Sequence, residues 1–202
     1  MAGKTLPPKT NSDAISVGIG VLFPSEIMTL EKVNPDNLAL ALATAKAVFP
    51  YELRDGKMSM EEAYVEAIGK DWPHFAYYIA KDEGRIIGIT GHYPPEDDSK
   101  EIWLGWFGVL PDARGHGWGT MILHETCRIV ASLGVTEMHI YSGDRPEERK
   151  AHALYIRNGF KHTGNGSVAG EPVLFFRGPV PPNTTPEDGN AERSEPAAQD
   201  KL

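Results

Sequence analysis

Between residues 27 and 177 the apolar positions recur at two spacings, every second residue or every third to fourth, and the changes of spacing mark out the elements. Ile27, Thr29, Glu31 and Val33 alternate against Met28, Leu30 and Lys32, which predicts a short first strand. Asn34-Pro35 supplies a capping side chain and a proline suited to the first helical position. The Leu/Ala-rich run that follows predicts a helix to Val48, stopped by Pro50. Ser59-Met60-Glu61-Glu62 has capping-box spacing and opens a second helix that ends by Gly69. Phe75–Ala80 reads as a strand, Asp82-Glu83-Gly84 as a tight turn and Arg85–Tyr93 as the hairpin partner.

A polar loop, Pro94–Lys100, leads into Ile102–Val109. Strict alternation points Trp103, Gly105, Phe107 and Val109 to one face and Ile102, Leu104, Trp106 and Gly108 to the other. Both faces are apolar, which predicts a central strand covered on both sides. A helix from about Gly117 to Leu133, ended by Gly134, and a strand over Val135–Ser142 complete a β-loop-α-β unit with a parallel pair. Glu147–Asn158 reads as a helix with Leu154 and Tyr155 inward, ended by Gly159. Phe160–Thr163 and Val173–Arg177 form a closing hairpin with Gly164, Gly166 and Gly170 in its loop. The order predicts an α/β (α+β) fold: a mixed, mostly antiparallel sheet with one parallel pair, flanked by about four helices.

Composition changes this picture only at the ends. The 202 residues suffice for one well-buried domain, expected over 27–178, with an N-terminal tail over 1–26. Residues 179–202 are acidic and proline-rich, and after Val180 carry no aromatic, Ile or Val residue, which predicts disorder. The net charge is −8, of which five acidic against two basic residues put −3 in the final sixteen positions. A mildly acidic body argues against nucleic acid and anionic membrane as partners and favours a cationic or neutral substrate. Cys127 is the single cysteine, so no internal disulfide forms, and Ala14–Phe23 is apolar but too short to span a bilayer. A cytoplasmic protein is expected. The seven histidines lack zinc-type spacing, so no metal is expected.

The candidate chemistry lies in Trp103–Thr120, WLGWFGVLPDARGHGWGT, which reads as strand, bend, glycine-rich loop and helix start. Glycines let main-chain N–H groups approach a ligand, and a helix N-terminus adds unpaired donors and partial positive charge, which together suit a phosphate. The Lys-Ser/Thr of a nucleotide-triphosphate loop and the GxGxxG of a dinucleotide fold are both missing. What stands instead is Val109-Leu110-Pro111-x-x-Arg114-Gly115-x-Gly117-x-Gly119, and downstream Leu154-Tyr155-x-x-x-Gly159-Phe160. The first string resembles motif A of the GNAT N-acetyltransferase superfamily, and the resemblance extends over roughly residues 27–177.

That resemblance implies a central strand splayed from its parallel neighbour, acetyl-CoA as acyl donor, and acetyl transfer to a primary amine by direct attack. The pyrophosphate would lie on Arg114, Gly115, His116, Gly117, Trp118, Gly119 and Thr120, and the pantetheine arm and acetyl oxygen along Phe107, Gly108 and Val109, with a bend at Gly108 to Leu110 freeing main-chain groups. Tyr155 matches the family's general acid, whose phenol gives a proton to the leaving thiolate. Some family members place a glutamate on the central strand, which makes Glu101 the candidate base, about 20 Å of strand from Phe107. His92, His139 and Ser142 are further candidates. Seven positions before Tyr155 the family often has a cofactor-bonding Asn; here that residue is Glu148. A small-molecule amine in an aromatic, mildly acidic pocket is the expected acceptor, with peptide acetylation or a non-catalytic acyl-CoA sensor as alternatives. A homodimer is common in the superfamily, and no residue fixes the oligomeric state.

Overall fold

The computed structural model describes residues 28–50, 59–95 and 101–180. The expected N-terminal tail, Ile27, most of the expected loop between Pro94 and Lys100, and residues 181–202 lie outside them, whereas Pro179 and Val180, expected in the C-terminal tail, belong to the fold: Pro179 ends the last strand, and Val180 is buried with its N–H donating to the Thr136 carbonyl at 2.8 Å.

Strand β1 (Met28–Lys32) pairs antiparallel with β2 (Ala76–Asp82), which pairs antiparallel with β3 (Arg85–Tyr93). The β2–β3 turn puts Glu83 at φ 48° and Gly84 at φ 83°, the mirror-type geometry that matches strand twist. Between β1 and β2 run α1 (Leu38–Val48) and α2 (Met60–Lys70). The predicted capping box forms: Ser59 Oγ accepts from the Glu62 N–H at 3.1 Å, and the Ser59 N–H donates to Glu62 Oε2 at 2.6 Å. Helix α1 starts later than Asn34-Pro35 predicts. Asn34 Oδ1 instead accepts from the N–H groups of Asp36 and Asn37, so that asparagine closes a turn ahead of the helix. One face of both helices buries Ala41, Ala45, Val48, Ala63 and Tyr64 against Tyr77, Ile79 and Ile89.

The predicted central strand is broken in two. Its first half, β4 (Ile102–Leu104), pairs with the end of β3, and its second half, β5 (Gly108–Val109), pairs with Gly88 and Ile89 of the same strand. His92 faces Leu104 but Gly88 faces Val109, so one extra residue is accommodated between the halves, with Trp106 at φ 40°. This is a β-bulge, and it reverses the alternation. Phe107 and Val109 therefore join Ile102 and Leu104 on the face covered by α3 (Trp118–Ser132), not Trp103 as strict alternation predicts. The break, with Trp106 at its centre, also lies just upstream of the bend expected at Gly108 to Leu110.

Helix α3 buries Ile122, Leu123, Cys127 and Val130, and Gly134 at φ 81° ends it as predicted. The chain returns in β6 (Glu137–Gly143), parallel to β4 at Ile102 with Met138 and Trp103 with His139. Beyond Trp103 no pairing continues, because β5 turns wholly to β3 while Ile140–Gly143 pair only with β8 (Glu171–Pro179). The two parallel strands thus splay. Helix α4 (Arg149–Arg157) follows a 3-10 turn over Pro146–Glu148 and is ended by Gly159 at φ 88°. The closing hairpin is longer than predicted, since β7 (Lys161–Val168) incorporates Gly164 and Gly166 as strand residues. A Cβ on Gly166 would sit 2.6 Å from the Phe175 ring, so that glycine is where an aromatic ring lies on the neighbouring strand. The sheet order is β1-β2-β3-β4-β6-β8-β7.

Candidate active site

The bulge, the splay and the glycine loop meet at one place. After β5 the chain makes a 3-10 turn over Pro111–Ala113, and the Arg114 Nε donates to the Val109 carbonyl at 3.0 Å, tying the loop to the strand end. Gly115 at φ 87° and Gly117 at φ 83° occupy the left-handed region, so only glycine fits there without strain. Gly119 serves differently: a Cβ there would lie 2.9 Å from Leu154 Cδ1, so its bareness lets the start of α3 press against α4. The Arg114 N–H bonds the Pro111 carbonyl at 3.4 Å and the Thr120 N–H bonds the Gly117 carbonyl at 3.0 Å. The N–H groups of Gly115, His116, Gly117, Trp118 and Gly119 donate to no backbone carbonyl among the described residues. These five donors lie at or just ahead of a helix N-terminus without a side-chain cap, an arrangement that suits an anion. Nothing stands within 4 Å of a Cβ built on Gly115 or Gly117, which leaves room for a pyrophosphate.

On the other side of the splay is a cavity of about 810 Å³. Leu104–Phe107 line one wall and Ile140–Gly143 the facing wall, with Tyr155 and Glu148 between them. Toward α1 and α2 the lining is aromatic, with Phe49, Phe75, Tyr77, Tyr93 and Trp106. Tyr155 is buried, its ring centroid 6.0 Å from Phe107, 5.5 Å from Phe176 and 6.3 Å from Phe160. Burial, and secondarily the negative charge of Glu148, hold its phenol above the ordinary tyrosine value, so it stays a proton donor.

The other sequence candidates are dispersed. Glu101 is exposed just ahead of β4 and does not line the cavity. The bulge leaves it sharing strand parity with Trp103 but not with Phe107 or Val109. His92 is fully buried, and its Nε2 donates to the Pro73 carbonyl at 2.8 Å. Burial pushes its pKa down to about 4, against that hydrogen bond, so the ring is neutral and structural. His139 stacks 5.2 Å from Trp103. Ser142 does reach the cavity, where its Oγ donates to Glu148 Oε2 at 2.6 Å and His152 Nε2 lies 3.1 Å from the same Oγ. Sequence reasoning did not join these three residues; the seven-residue step from Glu148 to Tyr155, two helical turns, is the signal that points to Glu148.

A profile of the Acetyltransferase (GNAT) family matches residues 45–160, more than half of the chain and including the loop, both walls of the splay and Tyr155. The chain belongs to the GNAT acetyltransferase family. It is therefore an acyltransferase, of a family whose acyl donor is acetyl-CoA. Solved structures share the fold at low identity. A spermidine N-acetyltransferase variant from Vibrio cholerae aligns at TM-score 0.60 and 13% identity, over 77% of this chain and 95% of that one. A proposed phosphinothricin N-acetyltransferase aligns at TM-score 0.61 and 17% identity, over 76% and 99%. A proposed acetyltransferase from Salmonella typhimurium, solved with its cofactor acetyl-CoA, aligns at TM-score 0.59 and 14% identity, over 79% and 98%. No curated protein sequence matches this GNAT chain significantly. Among its described residues no helix is long and apolar enough to cross a membrane.

Proposed function

We propose that this GNAT protein transfers the acetyl group of acetyl-CoA to the primary amine of a small molecule by direct attack in a ternary complex in the cytoplasm. In this reading the donors of Gly115 to Gly119 take the pyrophosphate. The main chain beyond the bulge, Phe107 to Val109, faces the pantetheine arm, and Tyr155 protonates the leaving thiolate. The observation that carries the small-molecule acceptor is the cavity. Its volume of about 810 Å³ suits a small ligand, and its aromatic lining with Glu61 and Glu148 suits a cationic amine. One similar structure is named for spermidine, an acceptor of that kind.

The test is calorimetric titration with acetyl-CoA, followed by thiol-release assays on a panel of small primary amines and of peptides with free N-termini. Binding of acetyl-CoA and turnover of at least one small amine is expected. No binding by the folded protein, or turnover confined to peptides, would sink the reading.

A further inference from the structure

One group of side chains in the cavity is explained neither by the anion loop nor by Tyr155. Glu148 occupies the N-cap position of α4, yet its side chain caps none of the helix's first N–H groups. The carboxylate turns back to β6 instead, where it accepts from Ser142 Oγ at 2.6 Å. Since the Ser142 hydrogen points at Glu148, His152 Nε2 must donate to Ser142 Oγ across its 3.1 Å, which fixes the hydroxyl's direction. Gly143 makes room, because a Cβ there would collide with Glu148 Oε1. Glu66 and Glu171, two other carboxylates lining the cavity, are ion-paired with Lys70 and Arg145. Glu148 is held by a neutral hydroxyl and makes no ion pair among the described residues. It faces the same space as Tyr155 and is close enough to act on the phenol's charge.

We infer that Glu148 is the base that takes a proton from the acceptor's ammonium, with Ser142 as its positioning residue. The inference rests on the acetyltransferase reading above and names the proton acceptor within that site. The ammonium passes one proton to the Glu148 carboxylate. The nitrogen lone pair then forms the C–N bond to the acetyl carbon as the C–S bond breaks. The sulfur takes the Tyr155 proton, the second nitrogen proton returns to the Tyr155 oxygen through water, and the proton on Glu148 leaves to solvent. Amide, free thiol and one released proton balance the ammonium and thioester consumed. The titratable and charged groups that line the cavity beside Glu148 include Tyr155 of α4, Tyr141 of β6, Arg145 before the helix and Glu171 of β8 paired to that arginine, and His152 of α4 shares its Ser142 partner.

Glu148→Gln preserves the size of the side chain and an oxygen acceptor for Ser142. Thiol release is measured from mildly acidic to alkaline pH with acetyl-CoA and a panel of small primary amines that includes spermidine, and acetyl-CoA affinity by calorimetry. The expected result is a loss of about 10²-fold in kcat/KM near neutral pH, with acetyl-CoA affinity kept. The gap to the wild type should narrow as pH rises and the amine loses its proton in solution. Ser142→Ala should lower kcat with acetyl-CoA affinity kept, because it frees the direction of the carboxylate, and Ser142→Thr, which keeps the hydroxyl, should restore most of the rate. Glu148→Gln activity close to wild type, a loss equal at every pH, or a loss confined to acetyl-CoA affinity would each overturn the inference while leaving the proposed function standing. A wild-type protein that binds no acetyl-CoA or acetylates no amine of the panel overturns the functional reading, and this inference with it.

Discussion

Replacing Tyr155 by Phe removes one oxygen from the middle of the site and keeps the ring. The ring packs against Phe107, Phe160 and Phe176, so truncation to Ala would open a cavity costing about 3–5 kcal/mol and confuse folding with chemistry. No group among the described residues bonds the hydroxyl, so its loss should change fold stability by less than about 1 kcal/mol. If that hydroxyl protonates the thiolate, kcat falls by about 10²-fold or more, which is about 2.7 kcal/mol on the barrier. The measurements are thiol release at saturating acetyl-CoA, calorimetric affinity and thermal melting. The expected signature is a fall in kcat with affinity and melting temperature unchanged. Because its pKa lies above the ordinary value of 10, Tyr155 should also give the wild type no alkaline limb up to that pH. A folded Tyr155→Phe protein with kcat within about threefold of wild type would refute the assignment.

Three further predictions address the loop and the fold. Gly117→Glu puts a negative charge among the loop donors and should abolish acetyl-CoA binding, whereas Gly117→Ala carries the strain of φ 83° without the charge and should retain it; equal calorimetric titrations for the two would refute the anion site. His92 is neutral in the folded state down to about pH 4, but in the unfolded chain it takes a proton below about 6.5. Its contribution is therefore complete above 6.5 and is lost as pH falls toward 4, by about 3 kcal/mol. Urea unfolding at both ends of that window should show a smaller drop for His92→Gln, and an equal drop would count against it. Ser59→Ala breaks the capping box and should cost about 1 kcal/mol, read as a lower melting temperature; no change would mean that α2 is held by packing alone.

The regular elements were legible because their signals are local. The capping box at Ser59, the acidic-glycine turn at Glu83-Gly84 and the stops at Gly134 and Gly159 each depend on a few neighbouring residues, and each appears where the chain implies it. The extra residue at Trp106 was not legible, since a bulge is chosen by the strands on either side. Trp106 at φ 40° is a conformation its own propensity disfavours. From that one residue follow the reversed faces of Phe107 and Val109. The length of β7 was hidden for a similar reason: Gly166 reads as loop until Phe175, on another strand, needs the space beside it. In the site, the glycine string located the loop, while the grouping of Ser142, Glu148 and His152 depends on β6 and α4 packing together. Glu101, placed by family resemblance on an unbroken strand, stands exposed outside the cavity.

The splay leaves the sheet joined across its middle by two register pairs, Ile102 with Met138 and Trp103 with His139. Helix α3 spans the same line, burying Ile122 with Ala80 and Ile87 on one side, and Leu123, Cys127 and Val130 with Met138, Ile140 and Phe176 on the other. Parting the two halves therefore breaks few main-chain hydrogen bonds but must strip apolar surface from a helix. Contact of that kind weakens on cooling, whereas the long ladders of β2 with β3 and β6 with β8 depend much less on it. The molecule thus has a grain, like split timber, and the cold loosens it along the line where the cavity opens.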